Sequence, residues 1–450
     1  HILALAGLWT LFEWSRLFWL SGFAWNPVGM SLASCESSVQ MASLFGVYGL
    51  SFWVILTNLF GYRFFFLERT KTHFVLWSCC TLFPYFFGIG QEVIVKKFFP
   101  NNEKLSVVLV QTALFPEEKE PFFEQEKKFI PPLDQWMRIF SILRKSIKDQ
   151  KVDLLVFPET TVPFRALTPI YPLYSLQQLF LLTFGETSLV SFPPLKMPLI
   201  KRMEEGWRGS NLYIAQALSN YFGAEVVIGL DDYDRLAGKN ANAAFHITPG
   251  KPKCHRYEKR VLVPVAEYFP FSWCSSIASH YGIMGAFTPG KSAKVFGEKV
   301  RFSPSICYEE TFGESMREGR VLGAELFINI TNDVWFPYSR LAREHFEHGR
   351  VRAVENGIPV VRSCNTGITG AIDCFGHIVA TLGSKKQNQE RLSGALYVSL
   401  PLQTYKTLYS FIGDMGIILL SCSCILLYIG SLAWVRYRKK RLCETSLEGY

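Results

Sequence analysis

Residues 37–62, 74–91 and 415–435 contain no Asp, Glu, Lys or Arg. At about 1.5 Å per residue, each run approaches as a helix the roughly 30 Å hydrocarbon core of a bilayer. Three such stretches in one chain point to a membrane protein rather than to buried helices of a soluble domain. Residues 17–35 are a fourth, weaker candidate span, preceded by Glu13 and Arg16 at helical spacing. The chain opens at His1 in apolar sequence, with no initiator methionine and no signal-peptide pattern. It is therefore expected to be a fragment lacking upstream sequence, which makes the span count a minimum.

Lys and Arg exceed Asp and Glu by nine. Much of that surplus is local, in RYRKKR (436–441), directly after the last apolar run. A basic cluster beside a span reads as a cytoplasmic anchor rather than as a nucleic-acid surface. The loop 62–73 carries Arg63, Arg69 and Lys71 and is expected on the same side, against a weaker opposing signal from Lys96 and Lys97. The expected organisation is N-terminal transmembrane helices over 1–91, an extracytoplasmic domain over 92–410, a final span over 411–435 and a basic cytoplasmic tail over 436–450.

The extracytoplasmic stretch reads as a mixed α/β domain. Short apolar runs such as LSVVLVQ (105–111), EVVIGL (225–230), ELFINIT (325–331) and IPVVRSC (358–364) alternate with longer amphipathic ones, 129–150 and 339–357. Apolar strands alternating with helices predict a sheet covered by helices. One segment, 167–199, is oily but broken by proline. It fits either an extra core layer or a lid resting on the membrane surface, with Phe180 and Phe184 as lipid-touching candidates. The five cysteines of this region, Cys254, Cys274, Cys307, Cys364 and Cys374, are odd in number and lack metal-ligand spacing. No P-loop or dinucleotide fingerprint is present, and neither metal nor cofactor is expected.

Three stretches put a reactive group at the end of an apolar run. LLVFPETTVP presents Glu159, RYEKRVLVPVAEYFP presents Lys259 and then Glu267, and RFSPSICYEETFG presents Cys307. Strand ends can converge on one pocket because the sheet fixes their backbones. A carboxylate, an ammonium and a thiol there form a coherent set. The carboxylate takes the thiol proton, and the ammonium, with a backbone N–H at the nucleophile's turn, stabilises an oxyanion.

The order and flanks of these groups resemble the nitrilase superfamily, and more closely its membrane branch, the apolipoprotein N-acyltransferases. The resemblance rests on PE (158–159), KRVLVPVAEYFP (259–270), ICYE (306–309), NDVWF (332–336) and RSCNTGIT (362–369). It implies an α-β-β-α sandwich flanked by transmembrane helices, with Cys307 as nucleophile, Glu159 as base and Lys259 as oxyanion-stabilising cation. Glu267 and Glu309 are implied as supporting carboxylates, Tyr308 as a wall of the pocket and Trp335 as a substrate contact. The implied reaction is ping-pong. An acyl chain passes from a phospholipid to Cys307 as a thioester, then to the N-terminal amine of a diacylglyceryl-cysteine apolipoprotein.

The expected setting is a bacterial inner membrane, with the enzyme monomeric, its catalytic domain on the periplasmic side and no nucleic-acid partner. The same triad would also serve a membrane-tethered amidase that passes its acyl group to water. Ala266 and Pro337 stand where glycine is common in the family, and QTALFPEEKEPFF (111–123) lacks a tryptophan common there.

Overall fold

The computed structural model describes residues 1–450 apart from 21, 120–127, 149, 235–237, 252, 270, 272, 274–286, 335–338, 384–388 and 448–450, and apart from the side chains of 234 and 442–447. Trp335 and Cys274 therefore lie outside the described residues. The chain divides into two compact units, His1–Lys96 with Lys406–Tyr450, and Lys97–Tyr405.

The first unit is helical. Ser38–Leu67, Lys71–Phe98 and Met415–Arg441 are long and apolar enough to cross a membrane. The fourth candidate, 17–35, is not a spanning helix. It forms two short 3-10 turns, Arg16–Phe18 and Val28–Leu32, separated by irregular chain. Left-handed backbone at Leu20, Gly22 and Asn26, followed by Pro27, prevents a continuous helix. The segment instead folds back onto its neighbours. The Val28 N–H donates to Glu13 Oε1 at 2.8 Å and the Gly29 N–H donates to Ser51 Oγ at 3.0 Å. A Cβ at Gly29 would strike the backbone of Val47 and Ser51, so only glycine admits this approach.

The second unit is built on two sheets. Its strands are β1 Lys104–Gln111, β2 Leu154–Val156, β3 Tyr171–Pro172, β4 Ile200–Met203, β5 Gly206–Gly209, β6 Glu225–Asp234 and β7 Lys239–Ile247. They continue with β8 His255–Glu258, β9 Phe302–Ile306, β10 Leu326–Thr331, β11 Val360–Cys364, β12 Gly370–Ile372, β13 Ile378–Thr381 and β14 Gly394–Pro401. The first large sheet runs β14-β1-β2-β6-β7-β8 and the second β13-β12-β11-β10-β9. Each holds a run of three parallel strands: β1, β2 and β6 inside the first, β11, β10 and β9 ending at the edge of the second.

Period-two alternation explains the layering. Leu105, Val107 and Leu109 of β1 face the inter-sheet core with Val156, Ile306, Ile328 and Val361. The alternate residues Val108 and Val110 face the helices Pro132–Ile147 and Asn211–Phe222 through Trp136, Phe140 and Leu218. On the second sheet, Phe327 and Val360 face outward onto Met316, Phe346 and Ala353 of the helices Gly313–Val321 and Leu341–Asn356. Both faces of each sheet are thus covered, which is why the strands read as unbroken apolar runs. The result is the expected α-β-β-α sandwich.

The oily segment 167–199 belongs to this core on its inner side. It forms the helix Leu173–Phe184 and the 3-10 turn Glu186–Ser191, and β3, β5 and β4 make a small sheet beside it. Leu176, Leu179 and Phe180 are buried in the helix-facing core. Phe180 is fully buried, its ring set against Phe140 at 4.8 Å and Phe192 at 4.7 Å. Phe184 is half-buried and packs on Tyr221 at 4.7 Å and Phe140 at 5.2 Å. Phe180 is therefore core rather than a lipid contact, and Phe184 packs against that core. Leu182, by contrast, points outward and is 75% exposed. An apolar helix pattern without charges does not reveal which of its faces the fold has covered, and that led the lid expectation astray at Phe180.

Candidate active site

Glu159, Lys259 and Cys307 all sit just beyond strand ends. Glu159 follows β2, Lys259 directly follows β8, and Cys307 directly follows β9. A Cβ at Gly229, on neighbouring β6, would lie 2.7 Å from the Glu159 Cα, so glycine lets β6 run close beneath the carboxylate.

Lys259 is 1% exposed and bridges two carboxylates. Its Nζ lies 3.2 Å from Glu159 Oε1 and 2.7 Å from Glu267 Oε1. Burial works against its charge, but Glu159, Glu267 and the nearby thiol outweigh it and hold the ammonium well above the ordinary lysine value. Lys259 is therefore a fixed cation.

Asn242 on β7 completes the group, donating Nδ2–H to Glu159 Oε1 at 2.7 Å and to Glu267 Oε1 at 3.4 Å. Among the described residues no hydrogen bond reaches Glu159 Oε2. The second Glu267 oxygen accepts from the Val263 N–H at 2.8 Å, which ties the loop after Lys259 into the site.

Cys307 occupies the turn where β9 gives way to the 3-10 segment Cys307–Thr311, at φ 53°. A residue with a Cβ is disfavoured there by about 1–2 kcal/mol, so the surrounding contacts hold the turn. Burial, and then the negative charge of Glu159, push the thiol well above its ordinary value, while Lys259 pulls it down. The resting group is a neutral thiol beside a carboxylate and an ammonium.

Glu309 braces the turn. It is fully buried, and its Oε2 accepts from the Ile306 N–H at 2.7 Å. Its Oε1 accepts from the Tyr257 hydroxyl at 2.9 Å, the Val261 N–H at 3.2 Å and the Arg260 N–H. One carboxylate therefore fastens the strand end carrying Lys259 to the turn carrying Cys307. Burial pushes its pKa up, against the pull of the Arg260 and Ile306 N–H groups. Tyr308, next to Cys307 in sequence, is buried, its ring edge-on to Phe312 at 5.0 Å.

The structure thus gathers Glu159 and Glu267 within hydrogen-bonding reach of Lys259 and sets Cys307, Tyr308 and Glu309 on the adjoining turn. Phe180 and Phe184 lie elsewhere. Sequence reading missed Asn242, whose only signal is a polar residue inside the buried run of β7. It also assigned no role to Asp333, His345, Glu310 and Arg362. The described cysteines are free thiols.

The carbon-nitrogen hydrolase family matches residues 107–408, and the apolipoprotein N-acyltransferase N-terminal domain matches residues 1–60. An apolipoprotein N-acyltransferase of Chlamydia caviae is 35% identical over 439 residues, covering 95% of this chain and 76% of that protein. The protein of the same name from Chlamydia trachomatis is 30% identical over 446 residues, covering 97% and 77%. That from Shewanella oneidensis is 26% identical over 434 residues, covering 95% and 73%. Among solved structures, Saccharomyces cerevisiae Nit3, a member of branch 10 of the nitrilase superfamily, is 18% identical and covers 69% of this chain and 94% of that one, at a TM-score of 0.42 that is too low to add to the assignment. With a carbon-nitrogen hydrolase domain over two-sheet architecture and relatives matched along nearly its whole length, this chain belongs to the apolipoprotein N-acyltransferase family.

Proposed function

We propose that this enzyme acylates the N-terminal amine of lipoproteins through a thioester on Cys307. The observation that carries the assignment is the buried Lys259 held between Glu159 and Glu267 beside the thiol. Because burial keeps Cys307 protonated at rest, the proton leaves as the sulfur attacks, and Glu159, the carboxylate whose charge acts most strongly on the thiol, receives it.

In the first half-reaction the sulfur bonds to the ester carbonyl carbon of a phospholipid, whose oxygen becomes negative beside the Lys259 ammonium. Losing such a donor removes about 3 kcal/mol of barrier stabilisation. The ester C–O bond then breaks, and Glu159 returns its proton to the leaving lysophospholipid oxygen. In the second half the amine of a diacylglyceryl-cysteine attacks the thioester. An amide forms, the C–S bond breaks, and Glu159 carries the amine proton to the departing sulfur. Glu267 and Asn242 keep Lys259 and Glu159 in register, Glu309 and Tyr308 support the nucleophile's turn, and Trp335 is a candidate contact for the acyl donor.

The basic cluster 436–441 and Arg63, Arg69 and Lys71 support an extracytoplasmic position for the catalytic unit at a bacterial inner membrane. The enzyme works there as a monomer. A membrane-impermeant thiol probe should reach a cysteine engineered at Asn101 from outside, and one engineered after Arg441 only once the membrane is opened. The reverse pattern sets the site in the cytoplasm and removes the lipoprotein assignment. The chemistry is tested by incubating the reconstituted protein with acyl-labelled phospholipid and measuring a hydroxylamine-sensitive label. Absence of such a label rules out the thioester.

A further inference from the structure

Asp333 and Arg362 stand in two of the motifs noted above, NDVWF and RSCNTGIT, and the mechanism gives them no task. Both are buried, and with Glu310 and His345 they form a charged cluster that reaches the nucleophile through its backbone. His345, on the helix Leu341–Asn356, has Nδ1 2.8 Å from Asp333 Oδ1 and Nε2 3.1 Å from the Cys307 carbonyl oxygen. The same Nε2 is 3.5 Å from Glu310 Oε2. Arg362 closes the cluster, 3.1 Å from Glu310 Oε2 and 4.0 Å from Asp333 Oδ2. Asn329 gives the Cys307 carbonyl a second donor at 3.3 Å.

Donor and acceptor chemistry decides how many protons His345 carries. A carbonyl oxygen only accepts, so Nε2 bears a hydrogen. An ionised carboxylate only accepts, so Nδ1 bears one too. Asp333 is ionised on grounds independent of the ring: Oδ1 also accepts from the Thr331 hydroxyl at 3.3 Å, and Oδ2 faces the Arg362 guanidinium at 4.0 Å. A ring with hydrogens on both nitrogens is an imidazolium. A histidine serving only to fill a core has no need of that charge, and no need to spend it on the carbonyl of the nucleophile itself.

We infer that His345 is a positioning residue of the acylation site: an imidazolium anchored by Asp333, whose Nε2–H grips the Cys307 carbonyl and holds the left-handed turn that displays the thiol. The grip also polarises the peptide unit that follows the nucleophile. Glu310 and Arg362 balance the cluster, which lets a charged ring persist out of water. The inference rests on Cys307 being the nucleophile.

The test compares His345→Gln, which keeps an N–H donor, with His345→Met, which fills similar space without one, in the full chain reconstituted with acyl-labelled phosphatidylethanolamine vesicles. Single-turnover acyl-enzyme formation is followed against donor concentration. A displaced reacting atom predicts a maximal rate about 100-fold lower in His345→Met at an unchanged half-saturating concentration, and recovery to within about tenfold of the parent in His345→Gln. A His345→Met rate within about threefold of the parent overturns the inference, as does an equal loss in both variants, since one displaced donor should separate them. Failure of His345→Met to elute as a folded species in detergent assigns the residue to the core and overturns it as well. Cys307→Ala is run in parallel. Label surviving there brings down the nucleophile assignment, whereas label lost there with His345→Met unimpaired brings down the role of His345 alone.

Discussion

Cys307 and Cys364 end two strands of the same sheet, β9 and β11, with β10 between them. Burial pushes both thiols up, that of Cys364 to about 12. By acidity alone they are alike, and neither is a ready-made thiolate. Their surroundings differ. Cys364 continues its strand, is fully buried, and donates its own N–H to Thr369 Oγ1 at 3.0 Å. Cys307 has left the strand in a left-handed turn, and the charges acting most strongly on its thiol are those of Glu159 and Lys259. On the proposed assignment, what separates the two thiols is the turn that frees Cys307 and the Glu159 and Lys259 beside it, where Cys364 has Arg362 and Asp333, and not a lowered resting pKa.

The largest expected effect comes from deleting the two sulfurs in turn. Cys307→Ala should carry no acyl label from phospholipid, while Cys364→Ala should be labelled to the parental extent. Label on the Cys307 variant, read by gel after hydroxylamine treatment, would dissolve the contrast between the two thiols.

Next in size are the groups that Cys307 has and Cys364 lacks. Glu159→Gln removes the proton acceptor, and acylation should fall by about 100-fold to 10⁴-fold, the usual range for a lost general base. Lys259→Met removes the oxyanion's cation and should cost about 3 kcal/mol, near 100-fold, in the first half-reaction. Glu267→Gln keeps the loop but weakens the hold on Lys259. A loss of about tenfold is expected, because an amide oxygen still accepts a hydrogen bond from the ammonium, with less strength than a carboxylate. Equal rates in Glu159→Gln and Glu267→Gln would mean that the two carboxylates are interchangeable and that Glu159 is not the base. Single-turnover acylation measures all three.

How much of this could be read beforehand follows the same contrast. Glu159, Lys259 and Cys307 are legible because each interrupts an apolar run with a reactive group, and strand ends are where sheets present side chains. The sandwich is legible because strands buried on both faces are continuously apolar, as in LSVVLVQ and ELFINIT. His345 is not legible, since on the helix Leu341–Asn356 it is one polar residue among many. Only the fold shows that His345, Arg350, Arg352 and Glu355 are buried there rather than solvated. Phe180 misleads in the opposite direction: an uncharged helix advertises lipid, and only the packing of Phe140 and Phe192 shows that its apolar face is already covered. The segment 17–35 misleads for a related reason, because lack of charge does not distinguish a spanning helix from a chain folded back on one.

The smallest effect concerns Cys364 itself. In the unfolded chain its thiol ionises near the ordinary value of 9.0, whereas the fold pushes it to about 12. Above pH 9.0 the unfolded state therefore releases a proton that the folded state keeps. The stability this group contributes is fully present below that pH and is lost as pH rises toward about 12, at up to about 1.4 kcal/mol per pH unit. Cys364→Ala should thus have two opposing consequences. At pH 7.5 it should lower stability by about 1 kcal/mol, through the small void left by the sulfur. Between about pH 8 and pH 10 it should lose roughly 1 kcal/mol less than the parent, because the raised group is gone. Tyr213, which burial also pushes up to about 12, remains in both proteins and cancels in the difference. Guanidinium unfolding midpoints of the two proteins at the two pH values measure the change. Parallel alkaline losses would mean that Cys364 ionises in the fold as freely as in the open chain, and that burial is not what keeps this second thiol silent.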